Sequence, residues 1–340
     1  MEEKLSTFAK STTPSPIQQL SYLAQRSNAI NLAEGFPDFP APSHLKNAAV
    51  SAINSDFNQY RHVQGICDHV AKNMKNIHGL DVDPITDIVI CCGQTEAFAA
   101  AMFALLDQGD EVIVIDPSYE TYESCIRMAG GVPVYEHITY DNEKHISLAS
   151  LPGMQERTII TSSLSKTYCV TGWRIGWAIA PICIADAIRN IHIRLTDSAP
   201  APFQEAALTA LLSPPKYYES LKEDFESRRD FVVEMLSGVG FQVEFKPQGS
   251  FFIFAELPND YEHCDIDFVE ELIKQAGVVA VPGCGFFHSK HPPDGYQRRY
   301  IRFAFCKSSQ TLIAAHRKIS ALLNSAGRLK LFLAEKGPDT

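Results

Sequence analysis

The strongest chemical signal in the sequence is a lysine surrounded by hydroxyl side chains. Lys166 closes the run Ser162-Ser163-Leu164-Ser165-Lys166, and Arg174 follows eight residues later in Gly172-Trp173-Arg174. A lysine amine can form a Schiff base with a carbonyl carbon when burial or nearby cations lower its pKa. The hydroxyl groups and the arginine together suit a phosphate group. Taken alone, the run is equally typical of a surface loop with a solvated lysine.

Two further signals stand where predicted strands end. Gly93 follows an apolar run and opens helical sequence with Gln94 and Thr95, so that backbone N–H groups at a helix N-terminus could face an anion. Tyr119 comes just after the apolar run 111–116, at the strand end where ligands bind in open α/β sheets, and it could stack on a flat ring. An ordinary strand-to-helix turn and ordinary aromatic packing remain open as alternatives.

An arginine near the C-terminus could bind a carboxylate. Arg302 lies in the alternating run Tyr300-Ile301-Arg302-Phe303-Ala304, which predicts a strand. If Tyr300, Arg302 and Ala304 share one face, the guanidinium can meet a carboxylate through two parallel hydrogen bonds. The alternative is an arginine at the rim of an edge strand.

The elements that must position these residues alternate along the chain. Such alternation predicts an α/β fold with a mostly parallel sheet. The predicted strands are 87–92, 111–116, 158–162 and 176–180, and the predicted helices are 43–54, 95–106, 202–212 and 216–237. After Gly240, a smaller α+β domain is predicted, with strands at 241–245, 250–256, 278–281 and 300–305 and helices at 265–276 and 309–324. The first 40 residues are predicted to be an extended arm.

Composition excludes several classes of function. The 340 residues include 30 Lys and Arg against 40 Asp and Glu, a net charge of −10, which argues against a protein that coats nucleic acid or anionic membrane. No apolar run approaches the ~18 residues of a membrane span. Nine cysteines without CxxC pairs indicate reduced thiols and a cytoplasmic location. No Cys/His cluster has zinc spacing, so we expect no metal site.

Together, these motifs resemble those of the class I/II pyridoxal-phosphate-dependent aminotransferases of fold type I, and most of all the kynurenine aminotransferase/cysteine-S-conjugate β-lyase group. The resemblance runs from about residue 14 to 322. It implies a homodimer, with a large cofactor domain at 41–218, a small domain formed by 1–40 and 219–326, and a tail at 327–340. It also implies pyridoxal 5′-phosphate as cofactor and transfer of an amino group from an amino acid to a 2-oxo acid, with possible C–S β-lyase side activity.

The resemblance assigns roles on the cofactor side of the site. Lys166 would carry the cofactor as a Schiff base and move the proton at the substrate Cα. Tyr119 would stack on the pyridine ring, and Tyr135 would hydrogen-bond its 3′ oxygen. The groups implied for the phosphate are Ser163, Arg174, the backbone N–H groups of Gln94 and Thr95, and Tyr60 from the neighbouring subunit.

On the substrate side, the resemblance assigns the α-carboxylate to Arg302, helped by the backbone at Gly35. The amino donor is not fixed by these motifs. Kynurenine, glutamine, and aromatic or sulfur-containing amino acids are all compatible with them. Four side chains hint at a large or aromatic substrate side chain: Phe36, Phe286, Phe287 and His288.

The chain departs from the family between Tyr119 and Tyr135. The family carries an Asn-Pro-x-Gly turn there and an Asp just before the Val-Tyr that Tyr135 matches, and both residues hold the cofactor ring. No Asn-Pro dipeptide exists in this sequence, and Gly131-Val132-Pro133-Val134 contains no acid. We therefore predict an internal deletion of roughly two βαβ units, about 60 residues, at the Val134–Tyr135 junction. It would leave strand edges exposed.

Two alternative functions stay open. The first is a catalytically impaired or inactive family member or splice form, because a carboxylate normally keeps the cofactor's ring nitrogen protonated. The second and more remote one is a serine hydrolase that uses Ser163 and Lys166 as an SxxK pair. The accompanying Ser-Asp-Asn, Lys-Thr-Gly and GxSxG elements of such enzymes are missing from the sequence.

Overall fold

The structure of the protein is a computed structural model that describes residues 4–12, 14–137, 146–259, 261, 264–287 and 296–323. The helices are α1 (Thr7–Ser11), α2 (Pro16–Arg26), α3 (Ser43–Asn54), α4 (Gln64–His78), α5 (Gly93–Leu105), α6 (Glu120–Met128), α7 (Ile182–Thr196), α8 (Ala201–Leu211), α9 (Pro215–Gly238), α10 (Asp265–Ala276) and α11 (Ser309–Ser320). The strands are β1 (Ile30–Asn31), β2 (Ile88–Cys91), β3 (Glu111–Asp116), β4 (Val132–His137), β5 (Ile160–Ser163), β6 (Gly176–Ile179), β7 (Phe252–Glu256), β8 (Val278–Val279), β9 (Val281–Pro282) and β10 (Tyr300–Ala304).

The strands between residues 88 and 179 form two separate sheets. One has the order β2-β6-β5, with β6 antiparallel to both neighbours, so that β2 and β5 run in the same direction. The other is the parallel pair β3–β4. Within the described parts of the chain, no hydrogen-bonded strand pairing joins the two sheets. The α/β class is as predicted, whereas the central strand of the larger sheet is antiparallel.

Two further sheets are formed by the C-terminal strands together with β1, and they share one hydrophobic core. They are the antiparallel sheet β7-β10-β9 and the parallel pair β1–β8. The shared hydrophobic core joins these sheets to α2, α9, α10 and α11, and two further cores lie around α4, α5 and α7. The domain bounds at 40 and 218 stay a prediction. No described helix has both the length and the apolar composition that crossing a bilayer requires.

Two expectations about local structure were wrong. The N-terminal region is not an extended arm, because the hydroxyls of Ser6 and Ser15 cap α1 and α2, and Pro16 occupies the first turn of α2. The expected strand at 241–245 is reduced to one bridge between Gln242 and Glu256. The whole of the predicted tail, 327–340, and His288 lie outside the described residues.

The strand β3 has one face and one edge that no other described strand covers. Its side chains alternate, with Val114 only 6% exposed and Ile113 69% exposed. Of the described strands, only β4 pairs with β3, so no described strand covers its other edge. One face of a strand with central-strand composition is therefore open to water.

We expect neighbouring substitutions in β3 to differ sharply in their effect on stability. Ile113→Thr should change the free energy of unfolding by less than about 0.5 kcal/mol, because this side chain is already solvated. Val114→Thr places a hydroxyl in an apolar environment and should cost about 1–3 kcal/mol. Urea unfolding followed by circular dichroism measures both variants. Equal losses would show that Ile113 is covered in solution and would contradict the described arrangement.

Candidate active site

The strands β2 and β5 end on either side of the same residue of β6. Cys91 and Ser163 are both register partners of Gly176. A Cβ added to Gly176 would lie 2.5 Å from the carbonyl carbon of Gly93 and 2.6 Å from the nitrogen of Gln94. The absence of a side chain therefore lets the first turn of α5 approach β6 closely. The N–H groups of that turn have no partner inside the helix, which makes the turn a natural anion site.

The guanidinium of Arg174 lies directly against this helix N-terminus. Arg174 adopts a left-handed conformation, with φ 55° and ψ 49°. Its Nη1 donates to the carbonyl of Thr171 at 3.0 Å, and its Nη2 donates to the carbonyl of Cys92 at 3.3 Å. Gly93 has a φ of +81°, and a Cβ there would collide with the guanidinium. A fixed positive charge thus adjoins the N–H groups of α5, as a phosphate group requires.

Lys166 lies in the turn that follows β5. Its Nζ is 6.0 Å from the ring centre of Phe251, and the side chain remains accessible to solvent. Partial burial is the main cause that lowers the pKa of Lys166, with Arg174 and Lys307 acting in the same direction against Cys306 and Glu34. The Tyr217 hydroxyl donates to the carbonyl of Thr167 at 2.7 Å and so supports the turn. An amine with a lowered pKa is more often neutral and hence nucleophilic.

We expect Lys166 to react with an acylating reagent at lower pH than an exposed lysine does. Lys274 is the matched comparison, since its ion pair with Glu271 raises its pKa. Burial disfavours the charged form of Lys166, so its reactive neutral form accumulates at lower pH. Limited acylation over a pH series, followed by mass spectrometry of peptides, gives both titration midpoints. A midpoint at Lys166 equal to or above that of Lys274 would contradict the described environment.

Arg302 is a buried cation without a matching anion. It is 5% exposed, and its guanidinium carbon lies 4.0 Å from the ring centre of Phe252 and 4.5 Å from that of Phe286. Its Nη2 donates to the carbonyl of Ala33 at 2.7 Å, and its buried Nε has no hydrogen-bond partner. Burial lowers its pKa to about 10, although Glu120 oppositely favours the charge. No ion pair to Arg302 is formed by the described residues.

Gly35 packs against two aromatic rings, Phe251 and Phe252, that lie beside Lys166 and Arg302. A Cβ on Gly35 would collide with Phe252 and would lie 2.7 Å from the ring of Phe251. The ring centres of Phe251 and Phe252 are 4.6 Å apart. Since Phe251 adjoins Lys166 and Phe252 covers Arg302, the structure brings the Gly35 backbone and both cations into one region.

The remaining cofactor residues expected from sequence lie at varying positions. Tyr119 packs edge-on against Tyr122, with 5.8 Å between ring centres, and lies near enough to Arg302 to influence its charge. The side-chain amide of Gln94 donates to the hydroxyl of Thr161 at 3.1 Å, and Thr95 is exposed. Tyr60 is 78% exposed on the surface. No residue of a second subunit is present in the structure, so its expected role stays a prediction.

Tyr135 is positioned by strand β4, and its expected contact with the cofactor stays a prediction. It belongs to β4, where its register partner is Val114, and its hydroxyl interacts with Glu123 and Arg127 of α6. Burial raises the pKa of Tyr135 to about 12, and Glu123 adds to this effect. Tyr135 follows Val134 directly along β4, and at this position of the strand its side chain faces α6.

Sequence reasoning missed two features of the site. Lys307 is 1% exposed, and its Nζ donates to the carbonyl of Phe36 at 2.9 Å, beside Gly35. The pair Phe251-Phe252 forms the wall between the two cations. Only the aromatic pair after Gly249-Ser250 offered a visible signal in the sequence, because nothing around Lys307 marks it as buried.

Comparison with known proteins identifies the family. The sequence profile of the family "Aminotransferase class I and II" matches residues 27–152 and 134–317. The chain is 29% identical to the methionine aminotransferase of Escherichia coli, over 89% of this chain and 95% of that protein. It is 28% identical to the kynurenine–oxoglutarate transaminase of Dictyostelium discoideum, over 92% and 95%. These alignments extend over 372 and 420 positions, more than the 340 residues of this chain.

Solved structures agree with the sequence relatives. The crystal structure of the Escherichia coli methionine aminotransferase superposes with a TM-score of 0.85 at 26% identity, over 92% of this chain and 98% of that one. An N-succinyldiaminopimelate aminotransferase from Mycobacterium tuberculosis superposes with a TM-score of 0.86 at 27% identity, over 93% and 99%. The profile covers most of the chain, and both structures share its fold. The chain therefore belongs to the class I and II aminotransferases, a family of pyridoxal-phosphate-dependent enzymes of fold type I.

Proposed function

We propose that this chain binds pyridoxal 5′-phosphate at Lys166 and uses it to transfer an amino group from an amino acid to a 2-oxo acid. One observation carries the proposal. A lysine with a lowered pKa lies in the same region as a helix N-terminus covered by Arg174 and a buried Arg302, with which the described residues form no ion pair. The lysine can react with a carbonyl group, the helix N-terminus with Arg174 can bind a phosphate, and Arg302 can bind a carboxylate. The family match leaves the SxxK hydrolase alternative without support.

The residues on the cofactor side fit its phosphate. Arg174, the N–H groups of Gln94 and Thr95, and the hydroxyl of Ser163 at the end of β5 would hold that group. Lys166 would hold the cofactor covalently and, once displaced by the substrate amine, would move a proton from the substrate Cα to the cofactor's C4′ carbon. The cofactor, when bound, supplies an electron sink for the negative charge left at that carbon.

The residues on the substrate side fit an amino acid with a large side chain. Arg302 would bind the α-carboxylate through two parallel N–H···O hydrogen bonds from one edge of its guanidinium, and the backbone at Gly35 would border it. Tyr119 would lie across the same space. Five aromatic side chains lie near Arg302 and Lys307 or pack against those that do: Phe36, Phe251, Phe252, Phe286 and Phe287. An aromatic or sulfur-containing donor is therefore our proposal, and the relatives named for methionine and kynurenine are consistent with it.

The proposal includes a homodimer in a reducing compartment, the cytoplasm. Tyr60 is largely exposed and would be free to reach the phosphate of a neighbouring subunit. All nine cysteines are free thiols, as expected where disulfides do not form.

A second candidate is an impaired enzyme that lacks an internal segment at Val134–Tyr135. Three observations favour the missing segment: the alignments exceed the length of the chain, the profile matches in two parts that overlap at 134–152, and no described strand joins the two N-terminal sheets. The Tyr135 hydroxyl also lies with Glu123 and Arg127 of α6. In this candidate the cofactor binds through its phosphate and Lys166, but amino transfer is slow.

The test is a covalent map of the cofactor followed by turnover. Purified protein is mixed with pyridoxal phosphate, its absorbance is recorded, and borohydride then fixes the cofactor to the lysine that holds it. Peptide mapping should place the adduct on Lys166 and not on the buried Lys307. Lys166→Ala should lose the adduct, whereas Lys72→Ala, an exposed lysine on α4, should retain it.

Turnover separates the two candidates. Kynurenine, glutamine, methionine and phenylalanine are assayed as donors with 2-oxoglutarate as acceptor. An adduct on Lys166 with turnover ordinary for the family supports the full enzyme, and an adduct without turnover supports the impaired one. Correctly folded protein that forms no adduct on Lys166 would refute both.

A further inference from the structure

Three side chains with metal-binding atoms meet beneath the N-terminus of α5. Cys91 comes from the end of β2, Glu96 from α5, and His192 from α7. The thiol sulfur, a carboxylate oxygen and an imidazole nitrogen all lie within 4.8 Å of one another. Cys91 and His192 are buried, and the Glu96 side chain is 13% exposed. The aminotransferase residues discussed above do not include any of the three.

The hydrogen bonds of the cluster leave one acceptor without a partner. Oε2 of Glu96 accepts from the backbone N–H of Cys92 at 2.9 Å and lies 3.0 Å from Nδ1 of His192. The Thr196 hydroxyl lies 3.1 Å from the same ring nitrogen. Oε1 of Glu96 is buried, and no N–H or O–H group of the described residues donates a hydrogen bond to it. A buried carboxylate oxygen without a donor is costly, and a cation beside it would offset that cost.

The donor set indicates which cation fits. Thiolate, imidazole and carboxylate together are typical ligands of zinc, whereas magnesium and calcium prefer oxygen ligands alone. Zinc–ligand distances of about 2.0–2.3 Å place two ligands of a tetrahedral ion roughly 3.3–3.8 Å apart. The ligand atoms, which lie within 4.8 Å of one another, therefore need to approach by at most about 1.5 Å.

We propose that Cys91, Glu96 and His192 form a zinc-binding site, with water or the Thr196 hydroxyl as the fourth ligand. On binding, the Cys91 S–H bond breaks, the sulfur bonds to the metal, and the proton leaves to the buffer. His192 uses the lone pair of Nδ1 and keeps its proton on Nε2, and Glu96 binds as the carboxylate. No oxidation or reduction is involved. The Cys92 N–H donates to Glu96, and Cys92 immediately precedes Gly93. A metal held by Cys91 and Glu96 would therefore also restrict the motion of the anion site at the start of α5.

The test uses the intact chain without added cofactor, so its outcome is independent of the proposed aminotransferase activity. Protein dialysed against a chelator is equilibrated with Co²⁺, and the thiolate-to-cobalt charge-transfer band is recorded. Competition with Zn²⁺ and native mass spectrometry give the stoichiometry. We expect one metal ion per chain and a band that Zn²⁺ abolishes.

Matched variants assign the ligands. Cys91→Ser should lose the band and bind Zn²⁺ at least tenfold more weakly, and His192→Gln should weaken binding by a similar factor. Cys125→Ser, at a buried cysteine of α6, should behave as the unaltered protein. A folded unaltered protein that shows no band, or a band that persists in Cys91→Ser, would overturn the proposal. If Cys91→Ser does not fold, unchanged Zn²⁺ affinity in His192→Gln overturns it equally.

Discussion

Replacing Arg302 with methionine should weaken the binding of a 2-oxo acid by about 30-fold or more, without loss of stability. Truncation of one partner of a buried charge pair costs about 2–5 kcal/mol, which corresponds to that factor or a larger one. The unliganded protein should be as stable as before or more so. The Arg302 guanidinium is buried between Phe252 and Phe286 and forms no ion pair with the described residues. Methionine, an apolar side chain, removes the cost of keeping that charge out of water.

Two measurements check this prediction. Isothermal titration with 2-oxoglutarate gives the affinity, and urea unfolding gives the stability of the unliganded protein. Arg298→Met is the matched control, because Arg298 is exposed four residues earlier on the same segment, and it should leave affinity unchanged. Equal affinity in Arg302→Met and the unaltered protein would show that the carboxylate binds elsewhere.

Replacing Gly93 with alanine should abolish the preference for a phosphorylated cofactor. The backbone there has φ +81°, and the added Cβ collides with the Arg174 guanidinium. The arginine can move away only by giving up its hydrogen bonds to Cys92 and Thr171. We expect at least a tenfold loss of affinity for pyridoxal phosphate, little change for pyridoxal, and a stability cost of about 1–3 kcal/mol.

Gly79 separates backbone strain from the effect on the anion site. It has a φ of +70° at the end of α4, and a Cβ there meets no atom within 4 Å. Gly79→Ala should cost about 1 kcal/mol in stability and leave cofactor binding unchanged. Fluorescence titration with pyridoxal phosphate and pyridoxal measures the preference in both variants. If Gly93→Ala keeps the full preference for the phosphorylated form, the anion site does not lie at the start of α5.

Elements with a strong local pattern could be predicted from the sequence. The helices 43–54 and 265–276 have the predicted bounds, because an amphipathic repeat specifies each of them within its own residues. The N-terminal helices were missed, although Ser6, Ser15 and Pro16 carry the cap signals that start them. The strand at 241–245 was overpredicted, because its pattern was apolar but only one residue finds a backbone partner.

The sequence alone determined the family and the residues that could do its chemistry. Ser163, Lys166 and Arg174 are spaced along one short segment, and Arg302 lies in a recognisable strand, so linear order was enough to propose them as site residues. It also marked the Val134–Tyr135 junction, because the motif residues expected before Tyr135 are missing there.

Only the tertiary structure decided which groups meet. Tyr135 turns toward Glu123 and Arg127 because strand register, not motif order, sets its direction. Arg302 contacts residues 33, 252 and 286, which are far apart in sequence and are brought to it by tertiary packing. Cys91 and His192 are about 100 positions apart and meet because α7 packs on α5. The type of each residue fixes the chemistry that its side chain can do. The distance between side chains that are far apart in sequence depends on tertiary packing, which no local sequence pattern specifies.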